Sequence, residues 1–122
     1  MNTTNNLPAL DKFGKFIVQS LRDRAIEQNN QLLRSELAGA AIQELQRRVS
    51  LLNSDQKALI HDVVVDLIDT AMHDFLFALQ EAHDNDAGIE IVVNGQNIAE
   101  TSGMLNCEHL GPDGWISKFS RF

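Results

Sequence analysis

The sequence predicts a mainly helical α+β fold with a three-helix core, a long central third helix, a C-terminal β-hairpin and a short aromatic helix at the end. Apolar side chains recur at three- and four-residue steps as far as about residue 82, the spacing of one helix face. Beyond that point they alternate around Asn94-Gly95, the strongest short-range hairpin signal. A length of 122 residues predicts a single domain over 1–122, with the polar residues 1–7 disordered.

Two amphipathic stripes predict the first two helices. The first helix is expected from about Pro8 to about Gln28, with the stripe Leu10, Phe13, Ile17, Leu21 and Ala25. The polar segment 28–31 either ends this helix or continues it. The second helix is expected to end before Asn53, with the stripe Leu33, Leu37, Ala41, Leu45, Val49 and Leu52. Its small residues, 38–41, predict a tight crossing with another helix.

The third helix is expected to begin at Asn53 or Ser54, both good N-terminal caps, and to run to about Asp84. One apolar row lies near a single meridian: Val63, Leu67, Ala71, Phe75, Ala78 and Ala82. Further apolar residues flank it: Ile60, Val64, Ile68, Met72, Leu76 and Leu79. Because this arc exceeds half the circumference, we expect the helix to be covered on both sides.

The C-terminal segment is expected to supply part of that cover. A two-residue loop at Asn94-Gly95 pairs Val93 with Gln96 and Ile91 with Ile98. Because an isolated hairpin is only marginally stable, it is expected either to pack on the helices or to meet a third strand, for which Met104, Leu105 and Leu110 are the candidates. The turn 111–114 then leads into a short helix with the aromatic stripe Trp115, Phe119 and Phe122.

The charge of the chain is segregated. Residues 54–113 carry twelve acidic side chains and one basic one, Lys57, which gives this stretch a charge of −11 within a total of −7. Such a field attracts cationic partners and repels nucleic acid and anionic membranes. We therefore expect a basic protein surface as the partner, and neither nucleic acid nor membrane.

The acidic charge is concentrated along one edge of the third helix. Four side chains at i, i+4, i+7 and i+11 form this edge: Asp62, Asp66, Asp69 and His73. Asp74, Asp84 and Asp86 lie nearby and complete the predicted binding edge. The edge is either a solvated strip, a strip compensated by arginines of the first two helices, or a metal site formed by the first four residues. No second helix supplies a Glu-x-x-His motif, so the metal pattern is half a site.

No other motif predicts a catalytic reaction or a cofactor. His61 falls inside the apolar arc and is interpreted as a hydrogen-bonded core residue. Cys107 and His109 lack the third group that orients a nucleophile, and the thiol is expected to be buried or indifferent. The segment Asp84–Gly88 is interpreted as the turn out of the third helix, since it lacks the carboxylate that a calcium loop requires.

These observations predict a non-catalytic binding or inhibitory protein that engages a basic partner. A single cysteine and the absence of an apolar run long enough for a membrane or a leader predict a cytoplasmic protein. In size and acidity the chain resembles the small bacterial immunity and antitoxin proteins that neutralise a basic toxin, a resemblance of character that transfers no residue. The alternatives are a metal-dependent hydrolase at Asp62, Asp66, Asp69 and His73, and a homodimer through the third helix or the aromatic stripe.

Overall fold

A computed structural model describes residues 6–122, so most of the segment predicted to be disordered, residues 1–5, lies outside the described part. The elements in chain order are α1 (Ala9–Ile17), a π-helical turn (Val18–Arg22), α2 (Asp23–Leu33), α3 (Ala40–Ser50), α4 (Ser54–Asp84), β1 (Val92–Val93), β2 (Gln96–Asn97), α5 (Ile98–Ser102), a 3₁₀ turn (Leu105–Cys107) and α6 (Trp115–Phe119). This architecture confirms the predicted mainly helical α+β fold with its long helix, C-terminal hairpin and short terminal helix.

The first helix is continuous from α1 through the π-helical turn to α2, so a break at residues 28–31 was the wrong alternative. The turn also changes which side chains face inward, because a π-helical turn contains one residue more than an α-helical turn. Leu21, predicted to be in the stripe, is 49% exposed, whereas Arg22 and Ile26 are buried. The stripe prediction therefore holds to Ile17 and is displaced by one residue beyond it.

The connection between α2 and α3 contradicts the predicted tight crossing. Gly39 has φ of +110° and is the residue that precedes α3, rather than a residue inside a helix. A Cβ atom built on Gly39 would meet no atom within 4 Å, so no helix approaches there. Ala38 and Gly39 lie in the loop, where a positive φ favours glycine, and Ala40 and Ala41 begin α3.

The long helix α4 begins where the sequence predicts. Asn53 caps it: its side chain accepts a hydrogen bond from the Gln56 backbone N–H, and the Gln56 side chain accepts one from the Asn53 backbone N–H. The helix ends at Asp84, and Asp86 (φ +51°) and Gly88 (φ +79°) turn the chain away. This confirms the interpretation of residues 84–88 as a turn.

The hairpin is shorter than predicted. Val93 pairs with Gln96 as expected, and the Ile98 N–H donates to the Ile91 carbonyl over 3.1 Å, but Ile98 already begins α5. The Asn97 side chain accepts from the N–H groups of residues 99 and 100 and so converts the strand into a helix start. The third-strand alternative is wrong: within residues 6–122 the sheet has two strands, and Leu105 lies in a 3₁₀ turn.

The core forms where α1, α4, α5 and α6 meet. Trp115 of α6 is almost fully buried, and its indole packs edge-on against Phe13, with ring centroids 5.9 Å apart. Gly14 makes this approach possible, since a Cβ atom there would lie 2.4 Å from the indole. From α4, the core receives Met72, Leu76 and Leu79.

Coverage of α4 differs from the prediction in one respect. The buried residues Met72, Leu76 and Leu79 come from the flank of the apolar arc rather than from its predicted centre. The hairpin does not cover the other side, because β1 packs against α1. Consequently the predicted central row is exposed at Val63, Leu67, Ala71, Phe75 and Ala78.

Candidate protein-binding surface

The exposed side of α4 carries a continuous apolar row at four-residue steps. We define the apolar row as Leu59, Val63, Leu67, Ala71 and Phe75. Its four large side chains are 63%, 47%, 60% and 48% exposed in chain order. Residues four apart on a helix are surface neighbours, so the five side chains form one ridge. Exposed apolar residues scattered singly are ordinary, whereas a contiguous ridge indicates an interaction site.

A second row, which is acidic, runs beside the first. We define the acidic row as Asp62, Asp66 and Asp74, each of which lies three residues after a member of the apolar row and is exposed. Residues three apart are also surface neighbours, so the two rows lie side by side along the helix. Within residues 6–122, none of the three forms an ion pair with a lysine or arginine, and Asp74 contacts only His73, at 3.3 Å.

Asp69 differs from Asp62 and Asp66 of the predicted edge, because its carboxylate binds an arginine. Arg22, buried in the π-helical turn, donates from Nε to Asp69 Oδ1 over 2.6 Å and from Nη2 to Asp69 Oδ2 over 3.3 Å. This is the bidentate geometry of a strong arginine–carboxylate pair. Asp69 therefore holds the fold together, whereas Asp62 and Asp66 remain directed at solvent.

The same arginine is part of a buried network that fastens the C-terminal segment. Arg22 Nη1 donates to Ser120 Oγ over 2.9 Å, and Ser120 Oγ donates to Asp23 Oδ1 over 2.6 Å. The backbone N–H of Arg121 donates to Asp23 Oδ2 over 3.0 Å. Asp23 is fully buried, and these bonds satisfy its charge.

His73 lies against a second histidine. Its ring centroid is 5.8 Å from that of His109, and both side chains line an open pocket of about 250 Å³ together with Asp69, Thr70, Leu110 and Ile116. His109 is buried, and its Nδ1 has no hydrogen-bond partner within residues 6–122. Burial lowers the pKa of His109 and His73 lowers it further, while the charge of Asp69 acts in the opposite direction.

The predicted residues at the end of α4 are exposed but separate from the two rows. Asp84 accepts a hydrogen bond from Gln80 Nε2 over 3.2 Å, and Asp86 lies in the turn. Gln80, one turn before Asp84, is buried, and its Oε1 accepts from the Leu105 N–H over 3.0 Å. An amide at this position satisfies a backbone donor that the 3₁₀ turn would otherwise leave unpaired.

The arrangement of the described side chains gives little support to a metal site. Within residues 6–122 no group of three or more His, Cys, Asp and Glu side chains lies close enough to hold a metal ion. The Nδ1 of His61 lies 3.2 Å from Asn30 Oδ1, so the predicted hydrogen bond is present, but His61 is half-buried rather than a core residue. Cys107 is exposed while His109 is buried, so the two do not share a face.

The ion pairs of the molecule separate its acids into two groups. Five acidic residues lie outside 54–113, and each pairs with a lysine or arginine: Asp11, Asp23, Glu27, Glu36 and Glu44. Of the twelve inside 54–113, Asp69 is the one joined to a lysine or arginine within residues 6–122. Of the arginines in the first two helices, which one alternative made partners of the acidic edge, Arg22 binds Asp69, whereas Arg34 and Arg47 bind Glu36 and Glu44.

Sequence reasoning missed two features of this surface. The exposure of the apolar row has no signal in a single sequence, because periodicity identifies an apolar face without identifying what covers it. Arg22 faces the interior because of the π-helical turn. The sequence signal for this is the charged pair Arg22-Asp23, which directly follows Leu21 of the predicted stripe.

No known protein family, curated protein or solved structure matches this chain. Among the helices of the described part, none combines the length and the apolar character that crossing a membrane requires.

Proposed function

We propose that the protein is a non-catalytic binding or inhibitory module that engages a basic protein partner through the exposed side of α4. The observation that carries this proposal is that Asp62 and Asp66, exposed beside the apolar row, have no lysine or arginine partner within residues 6–122, while Arg22, Arg34 and Arg47 bind other acids. Like-charged neighbours four residues apart cost about 0.2–0.5 kcal/mol, which a cationic partner would recover.

The proposed mechanism is electrostatically steered association. Eleven carboxylates between residues 54 and 113 have no lysine or arginine partner in the described part of the chain, and their field accelerates the encounter with a basic surface and is screened as the salt concentration rises. Neutralisation of a basic toxin, in the manner of cytoplasmic immunity and antitoxin proteins, is the concrete form of this proposal.

The test is affinity capture from the native cell lysate with wild-type protein and with the variant Asp62→Asn/Asp66→Asn, washed at low and then at high salt. Asp69 is kept, because its loss would expose Arg22 and confuse binding with folding. The matched control is Glu100→Gln/Asp113→Asn, which removes two exposed charges elsewhere. We expect one basic protein to be retained by the wild type and the control, and lost from the Asp62→Asn/Asp66→Asn variant.

Two outcomes would contradict the proposal. Equal retention by all three proteins would show that the acidic row is not the binding surface. Retention of no basic protein, combined with a rise in melting temperature on adding magnesium, manganese or zinc, would favour the metal-dependent alternative, because a ligand that binds only the folded state stabilises it.

A further inference from the structure

The apolar row and the acidic row together indicate what kind of partner surface fits α4. We infer that the exposed side of α4 binds a basic amphipathic helix, whose apolar side chains pack on the middle of the apolar row, Val63, Leu67 and Ala71, and whose lysines or arginines face Asp66 and Asp74. This inference rests on the proposed function and specifies the partner of the same surface. Both the charge of α4 and the spacing of its exposed apolar side chains support the inference.

The repeat of the row favours a helix over a strand. Successive members of the row rise about 6 Å and turn about 40° around the helix axis, so a straight partner helix crosses the row obliquely and contacts its middle, from Val63 to Ala71. Helical rows of the same repeat interdigitate, whereas an extended strand repeats every 6.6–6.8 Å on one face, against about 6 Å for the row, and would drift by about 3 Å over its length. A docked strand would also face a helix whose backbone groups are already bonded.

Charge complementarity decides between a basic partner and a second copy of this chain. Helix α4 contains seven acidic residues and one lysine, Lys57. A twin helix packed on the apolar row would therefore bring mainly acids toward Asp62, Asp66 and Asp74. Like charges brought together at an interface oppose association, while lysines and arginines at the same positions favour it.

The inference is tested with a defined probe, a fluorescein-labelled 18-residue peptide of leucine, alanine and lysine whose leucines form one helical face. A peptide of identical composition with its leucines and lysines redistributed has the same charge without that face. Fluorescence anisotropy at about 150 mM salt, where exposed charges are screened beyond about 8 Å, measures both affinities. We expect the amphipathic peptide to bind at least about tenfold more tightly, since the redistributed peptide cannot bury a row of leucines.

Variants locate the binding to the two rows. Leu67→Gln should weaken binding of the amphipathic peptide about tenfold, the effect of losing one leucine-sized contact. Phe16→Gln, at an equally exposed apolar residue on α1, should leave the affinity unchanged. Asp62→Asn/Asp66→Asn should weaken binding of both peptides, while Glu100→Gln/Asp113→Asn should not. Since all these side chains are exposed, unchanged melting temperatures verify that the variants remain folded.

Each contrary outcome has a separate meaning. Equal affinity for the two peptides, with both weakened by Asp62→Asn/Asp66→Asn, overturns the helix inference and leaves the proposed function standing. Absence of binding by either peptide overturns both. A wild-type dimer in sedimentation at micromolar concentration that Leu67→Gln converts to a monomer overturns the inference in favour of a second copy on the apolar row.

Discussion

The acidic residues of 6–53 and those of 54–113 differ in whether a lysine or arginine binds them. Those in the first region are paired with nearby bases, and Asp23 is buried with a complete set of hydrogen bonds. Those in the second region, Asp69 excepted, have no lysine or arginine partner within the described residues. The contrast shows that, apart from the contact of Arg22 with Asp69, the arginine ion pairs of the described residues join acids of residues 6–53 rather than acids of α4.

The strongest way to break this comparison is to remove one acid from each region. Asp23→Ala should lower the free energy of unfolding by about 3–5 kcal/mol, because the Ser120 hydroxyl and the Arg121 N–H lose their acceptor and the buried Arg22 loses a carboxylate 4.0 Å away. Asp66→Ala should change it by no more than about 0.5 kcal/mol, since Asp66 is exposed and unpaired. Urea unfolding of both variants measures the difference. Similar values for the two substitutions would mean that the pairing has no energetic consequence.

A second prediction concerns pH, because all four histidines lie in the acidic region. His109 has a lowered pKa in the folded state, so the unfolded chain binds its proton more readily. The resulting stability is fully present above about pH 6.5, the ordinary histidine value, and is lost as the pH falls from there toward the folded-state pKa, by at most about 1.4 kcal/mol per pH unit.

Melting temperatures of wild type and His109→Gln between about pH 5 and pH 8 measure this effect. The wild type should lose stability below about pH 6.5, and the variant should lose less. His83→Gln, at a histidine outside the His73–His109 pocket, is the control and should follow the wild-type profile. A wild-type profile that is flat in this range would contradict the assigned direction of the pKa.

The smallest predicted effect sharpens the comparison through salt. Raising the ionic strength from about 10 mM to about 150 mM shortens the Debye length from about 30 Å to about 8 Å and so screens repulsion among the unpaired acids. The wild type should gain a few tenths of a kcal/mol, and Asp62→Asn/Asp66→Asn should already be stabilised at low salt and gain less. Thermal unfolding of the two proteins at both salt concentrations gives the four values required. An equal gain in stability in both proteins would show that the screened repulsion does not involve Asp62 and Asp66.

Much of the fold was predictable because local signals determine it. The cap at Asn53, the length of α4, the Asn94-Gly95 loop and the aromatic helix all follow from short-range rules. The prediction failed where tertiary contacts override local preference. Leu21 faces solvent because the π-helical turn brings Arg22 inward to Asp69, and Leu105 leaves the expected strand because Gln80 accepts its N–H.

The candidate surface was predictable only in part. The acidic residues were identifiable from their spacing, but the sequence placed Asp69 among them, since the arginine that occupies it lies 47 residues away. The exposure of Leu67 and its neighbours depends on where the hairpin packs, and that choice is made by contacts with α1. A pattern within one helix cannot contain this information.

The bond between Arg121 and Asp23 also has a consequence for how the chain folds while it is being made. The two residues are 98 positions apart, and at synthesis rates of about 5–20 residues per second the ribosome needs roughly 5–20 s to bridge that distance. During that interval Asp23 lacks two of its hydrogen-bond donors, the Ser120 hydroxyl and the Arg121 N–H, and burial of its charge without them is unfavourable. We therefore expect the burial of Asp23 to follow the synthesis of residues 120 and 121.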